Sequence, residues 1–177
     1  MKTITIDDVK NAIRDIHDFP KEGIVFKDIT TALKEPELFA FTIDYLYNYY
    51  KDYGITKIVA IESRGFILGG ALAYKLGAGF VPVRKPGKLP GEKFSVKYDL
   101  EYGSDTLEIH KDALNADDIV LVHDDLLATG GTALATNKLI QLCGAKSVSF
   151  SFLCELSFLK GIDKIRPISQ VHSLFQF

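Results

Sequence analysis

The chain has only two cysteines, Cys143 and Cys154, among its 177 residues. That excludes a disulfide framework, and neither thiol falls in a metal-ligand spacing, so both are expected as buried, reduced thiols. No apolar run is long enough to span a bilayer. The N-terminus, Met1-Lys2-Thr3-Ile4-Thr5, opens into a polar amphipathic helix without the apolar core of a secretion signal. An excess of one charge is also missing: 21 Lys and Arg stand against 23 Asp and Glu, a net −2 with histidine neutral. There is then no global electrostatic case for nucleic acid or a membrane as partner. Repeats, low-complexity tracts and linkers do not occur. What remains is an ordinary composition, 47% hydrophobic, at a length that fits one domain with a real core. The expectation is a cytoplasmic, single-domain protein, 1–177.

Helical and extended patterns alternate along the chain. Thr5 and Asp8 form a capping-box pattern, and Ile6, Val9, Ile13 and Ile16 share one helical face, with Phe19-Pro20 ending the helix. Glu22 to Ile29 reads as irregular or a short strand. A second helix is expected from about Pro36 to Tyr50, with Gly54 beyond its end. Lys57 to Ile61 is a buried strand, Glu62 to Gly65 a turn, and Phe66 to Leu76 a helix closed by Gly77. Phe80 to Val83 is a strand. Arg84 to Tyr102 is a charged segment punctuated by Pro and Gly, with Ser95, Val96, Lys97 and Tyr98 alternating. Thr106 to Ile109, Asp118 to Val122 and Ser147 to Leu153 read as further strands, with a helix from Ala133 to Leu142. Such alternation implies βαβ units, an α/β fold with a central, mostly parallel sheet flanked by helices. Ligands then belong at the carboxyl ends of the strands.

The stretch from Val120 to Thr132, VLVHDDLLATGGT, carries the chemistry. An apolar strand ends in two carboxylates, Asp124 and Asp125, and a loop of small residues leads into a helix. Glycines let the backbone approach a ligand closely, and the free N–H groups and positive dipole of the helix N-terminus favour a phosphate. The segment therefore joins anion binding to carboxylates that accept from hydroxyls, as a sugar phosphate requires. It is not a Walker A loop, because no Lys-Ser/Thr pair follows the glycines. Its adjacent glycines also fail the dinucleotide fingerprint. A second strand, Ile58 to Ile61, runs into Glu62-Ser63-Arg64-Gly65, a turn whose N–H groups can cup a diphosphate and whose arginine can clamp it.

The Asp124 to Thr132 run resembles the phosphoribosyl-pyrophosphate (PRPP) loop of the type I phosphoribosyltransferases. The wider set narrows the resemblance to the adenine phosphoribosyltransferases: Gly23 to Ile29, Glu-Ser-Arg-Gly-Phe from Glu62, Val83 to Pro90, and Leu100-Glu101-Tyr102-Gly103. The match runs in order from about Phe19 to Gly144. It implies the type I phosphoribosyltransferase fold with a mobile hood at about 84–109. It implies that Asp124 and Asp125 meet the ribose hydroxyls, and that Ala128, Thr129, Gly130, Gly131 and Thr132 hold the 5′-phosphate. It assigns pyrophosphate to Glu62, Ser63, Arg64 and Gly65, with a cis Glu62–Ser63 peptide, and to Arg84, Lys85 and Lys88, sometimes across a homodimer interface. Adenine is assigned to Val25, Phe26, Lys27 and Leu126, with backbone groups of Val25 and Lys27 reading its edge. Catalysis falls to Arg64, to Glu101 as partner of the adenine nitrogens, and to Tyr102 as a cover over the ribose.

The reaction implied is adenine plus PRPP giving AMP and pyrophosphate, through an oxocarbenium-like transition state. Mg²⁺ is the implied cofactor, held mainly by PRPP, with no dedicated protein site. A transferase for another purine and a catalytically inactive PRPP-binding regulator are the alternatives; intact Arg64 and Glu101 favour an enzyme. Two positions depart from the family pattern. Lys27 stands where arginine is common. His123 stands where an apolar residue is common, and is expected as a neutral, hydrogen-bonded core residue, the alternative being a titratable neighbour of the acidic pair.

Overall fold

The computed structural model describes residues 3–99 and 103–177, and the chain divides into two compact units, 1–49 and 50–177. In the first unit Thr5 caps helix α1 (Ile6–Asn11). The Asp8 N–H donates to the Thr5 hydroxyl at 3.3 Å, and the Thr5 N–H donates to the Asp8 carboxylate at 2.9 Å, the reciprocal pattern read from the sequence. The helix is shorter than expected. Arg14–His17 forms strand β1, antiparallel to β2 (Val25–Asp28). Contacts with partners 14 to 19 positions away win over the helical period here. The Thr31 hydroxyl donates to Ala12 O at 2.6 Å and accepts from the Arg14 N–H at 3.1 Å, while Arg14 pairs with Asp28 at 2.6 Å. Helices α2 (Thr30–Leu33) and α3 (Pro36–Tyr50) follow, the latter with the expected bounds.

The second unit holds β3 (Lys57–Ile61), α4 (Gly65–Leu76), β4 (Gly79–Val83), β5 (Lys93–Asp99), β6 (Ser104–His110), β7 (Ile119–Leu127), α5 (Gly131–Leu142), β8 (Lys146–Glu155), α6 (Ile162–Ile165) and β9 (Gln170–Gln176). Five strands form one parallel sheet in the order β4-β3-β7-β8-β9. Alternation along β3 assigns its two faces. Val59 and Ile61 pack with Val120, Val122 and the α5 residues Ala133, Ala135, Leu139 and Ile140. Ala60 points the other way, against Gly69 of α4, where a Cβ would lie 2.8 Å from the alanine methyl. A parallel sheet covered on both faces explains the near-continuous apolar runs of β3 and β7.

Three features differ from the sequence reading. Strand β7 does not stop at Val122 but carries its ladder through Asp124 to Leu127, opposite Phe152, Cys154 and Glu155 of β8. Strand β9 and helix α6 fall in 157–176, outside the elements expected from the sequence; Ile162, Ile165, Ile168, Val171 and Leu174 recur there every three residues, which gives no strand alternation. The charged segment after Arg84 contains a strand pair that was not expected, and it is anchored at its base. Arg84 and Glu108 exchange backbone hydrogen bonds at 2.9 and 2.7 Å, and the 7 Cα pairs of β5 and β6 form an antiparallel hairpin.

Candidate active site

Because β3 and β7 are parallel neighbours, the turns at their carboxyl ends lie on the same edge of the sheet. The turn after β3 has the expected cis Glu62–Ser63 peptide. Helix α4 then starts hard against β7: a Cβ on Gly65 would lie 2.9 Å from Asp124 Oδ1 and 3.0 Å from His123 O. Only a glycine allows that approach. It brings Arg64 of one turn to Asp125 of the other, Nε to Oδ2 at 2.7 Å. The arginine expected to meet pyrophosphate and an acid expected to meet ribose are thus ion-paired to each other.

Both acids sit in surroundings that resist ionisation. Burial and the neighbouring Asp125 charge push the Asp124 carboxyl well above the usual range, against the Asp125 N–H that donates to it at 2.9 Å. Burial also raises Asp125, with the Arg64 guanidinium acting in opposition. His123, fully buried beside them, has its pKa lowered to about 4 by desolvation. Its Nδ1 lies 3.2 Å from Ser151 Oγ. It is a neutral core histidine.

Beyond the acids the chain wraps a cavity of about 130 Å³, lined by residues 126–133 with Asp124 and Phe152. Gly130 is left-handed, φ +79°, which turns the loop into α5. Among the described residues the Thr129 and Gly130 N–H groups donate to no backbone carbonyl, and the first N–H groups of α5 have no partner within the helix. The loop therefore offers main-chain donors beside a helix N-terminus at the wall of this cavity, an arrangement suited to phosphate.

Of the three cations after β4, Arg84 reaches Glu62 with its side chain and Lys85 with its backbone N–H. Arg84 donates side-on to the Glu62 carboxylate through Nε and Nη2, both at 3.3 Å, and the Lys85 N–H donates to the same group at 2.7 Å. Burial would raise the Glu62 carboxyl, but the Lys85 N–H and Arg84 outweigh it and hold it below the ordinary value. A carboxylate so engaged orients cations; it does not itself bind an anion. Lys85 Nζ reaches Asp105 at 3.2 Å, and Lys88 is exposed.

The adenine set divides between the units. Val25, Phe26 and Lys27 lie on β2 of the first unit. There Lys27 pairs with Asp15 at 2.7 Å and Phe26 stands edge-on to Phe19. Leu126 lies on β7 of the second and lines the phosphate cavity. Glu101 and Tyr102 fall outside the described residues. Two residues were missed. Tyr98 accepts from the Thr132 hydroxyl at 3.4 Å, and its place on the Val96 face of an alternating strand is the signal that could have found it. Gly161 lies behind the phosphate loop, and nothing local marks it as more than a turn glycine.

Comparisons with known proteins agree with this geometry. Residues 30–175 match the model of the phosphoribosyl transferase domain. The chain is 58% identical over 153 residues to the adenine phosphoribosyltransferase of Phocaeicola vulgatus, covering 86% of this chain and 88% of that one. It superposes on the crystal structure of adenine phosphoribosyltransferase from Thermoanaerobacter pseudethanolicus with a TM-score of 0.94 at 50% identity, covering 98% and 100% of the two chains. The Giardia lamblia enzyme complexed with 9-deazaadenine superposes at 0.95 with 42% identity, covering 99% of each chain.

Proposed function

The chain belongs to the phosphoribosyl transferase family, and from that premise and its adenine-specific relatives we infer that it is an adenine phosphoribosyltransferase, a pentosyltransferase of purine salvage. It joins adenine to the phosphoribosyl group of PRPP, giving AMP and pyrophosphate. The observation that carries the reading is the pair of anion-binding turns on adjacent parallel strands, joined through Arg64 and Asp125. PRPP carries a phosphate at one end and a diphosphate at the other, which two such turns suit.

In this reading residues 128–132 hold the 5′-phosphate through N–H groups and threonine hydroxyls. Asp124 and Asp125 accept from the ribose hydroxyls. Arg64, with the N–H groups of 63–65, and the cations Arg84, Lys85 and Lys88 neutralise the pyrophosphate as it departs. Glu62 is a positioning residue that holds Arg84 and Lys85 for that task. The bond to pyrophosphate lengthens ahead of attack, so positive charge grows on the ribose and the nearby carboxylates stabilise it. Adenine N9 attacks the anomeric carbon while Glu101 takes or shares the ring proton and Tyr102 excludes water. Val25, Phe26, Lys27 and Leu126 are assigned to adenine by the family resemblance.

Mg²⁺ suits this donor set as an ion carried by the diphosphate. It needs few protein ligands, so PRPP itself would hold most of it and no dedicated protein site is assigned. When bound, it supplies charge neutralisation on the leaving group. We assign the protein to the cytoplasm and to a homodimer, with adenine and PRPP as its small-molecule partners. Among the described residues no helix is long and apolar enough to cross a membrane. The deciding assay supplies adenine, PRPP and Mg²⁺ and reads AMP, with hypoxanthine and xanthine as competing bases. Turnover of a 6-oxopurine in preference to adenine would reject the adenine assignment.

A further inference from the structure

Gly161 belongs to none of the segments assigned above, yet it closes the back of the phosphate loop. It opens α6 with ordinary helical torsions, φ −62° and ψ −30°, so its backbone conformation does not require glycine. The space does. A Cβ there would overlap the Ala128 carbonyl oxygen and lie 2.9 Å from the Gly130 nitrogen. The contact is reciprocal: a Cβ on Gly130 would lie 2.7 Å from the Gly161 carbonyl oxygen. Each of these neighbours is main chain, which cannot swing aside as a side-chain end would. The Gly161 carbonyl is itself fixed, accepting from the Lys164 N–H at 3.2 Å, and Ile165 anchors α6 in the core that holds Ala133 and Ala135.

We propose that Gly161 is a positioning residue for the ribose 5-phosphate, a backbone buttress that holds Ala128 to Gly130 in the shape that leaves their N–H groups facing the cavity. This rests on the functional reading above. The buttress touches only the loop, so it affects a ligand through its phosphate and not through its base or ribose. An alanine methyl at 161 pushes the loop out of register with the helix N-terminus.

The test is calorimetric binding of AMP and of adenosine, which differ only in the phosphate, to wild type, Gly161→Ala and Gly144→Ala. Gly144 is a left-handed glycine, φ +85°, with no neighbour within 4 Å of a Cβ, so its alanine variant loses stability without touching the loop. Gly161→Ala should weaken AMP by roughly tenfold or more, the loss of about one hydrogen bond to a charged group, and leave adenosine unchanged. Gly144→Ala should keep the wild-type ratio. A Gly161→Ala protein that retains the ratio overturns the proposal. So does one that loses both ligands equally, as a general structural defect would. A wild type that binds AMP no better than adenosine would sink the functional reading together with the proposal. Should Gly161→Ala not fold, amide exchange of the wild type decides. AMP, and not adenosine, should slow exchange at 162–166, residues that line no part of the cavity; no slowing there overturns the buttress.

Discussion

Neighbouring side chains in this site carry opposite tasks. Both Asp124 and Asp125 have carboxyls raised by burial. A carboxyl whose folded pKa lies above its unfolded value costs stability once the pH passes the unfolded value, and the cost is relieved as the acid is protonated. Their amide isosteres therefore fold. Asp124→Asn and Asp125→Asn should melt at or above the wild-type temperature at pH 7 while losing about 1.5–3 kcal/mol of PRPP affinity, the worth of a hydrogen bond to a charged acceptor. Thermal melts and PRPP titration read the two effects separately, and unchanged affinity would remove the ribose-hydroxyl role. His123 works in the other direction. Its pKa falls from 6.5 to about 4 on folding, so the unfolded chain binds the proton first as the pH drops. The stability linked to it is full above pH 6.5 and is lost between there and pH 4, by at most about 3 kcal/mol. Denaturant unfolding of His123→Val across that window should show a flatter loss than wild type. An identical slope would place the acid sensitivity elsewhere.

Elements show which parts of the site were legible beforehand. The strand–loop–helix order after β7 and the cis turn after β3 were legible because their signals are local: adjacent acids, adjacent glycines and a helix start within a dozen residues. What escaped was contact across elements. Nothing near Glu62 in sequence reveals that Arg84 and the Lys85 N–H would occupy its carboxylate, and nothing near Gly65 shows Asp124 packed on its Cα. The helical reading of α1 runs too long because Ile13 and Ile16, three residues apart, continue its apolar face and the partner strand is not visible in a window. The base of the hood is likewise held by contacts across elements. Glu108, almost fully buried, accepts there from the Gly87 N–H and the Ser95 hydroxyl, both at 3.2 Å, and lies 3.9 Å from the Lys93 ammonium. That one carboxylate ties 84–95 to β6. Glu108→Ala should open the segment by about 1–2 kcal/mol, so trypsin should cut the Arg84–Lys85 and Lys88–Leu89 bonds about 5- to 30-fold faster. Cleavage at the wild-type rate would show that the hairpin alone holds the base.

At the scale of the whole molecule the open matter is how many parts fold together. The chain divides at Tyr49, yet the family match begins at residue 30, inside the first unit, and runs to 175. A unit of 49 residues without a cysteine is near the lower limit for burying a core of its own. The chain should therefore behave as one domain. Calorimetry of the intact protein should give a single transition with equal calorimetric and van't Hoff enthalpies, and the fragment 1–49 alone should show no cooperative melt. The same experiment tests the homodimer. If the native state is a dimer that dissociates on unfolding, mass action ties its midpoint to concentration. For two chains of 177 residues, a tenfold rise should lift Tm by about 2 °C. Light scattering at the same concentrations should give twice the chain mass. A midpoint independent of concentration together with a monomer mass would remove the second copy from the site, and Arg84, Lys85 and Lys88 would then meet pyrophosphate within their own chain or not at all. Two separate transitions would instead divide the protein at Tyr49.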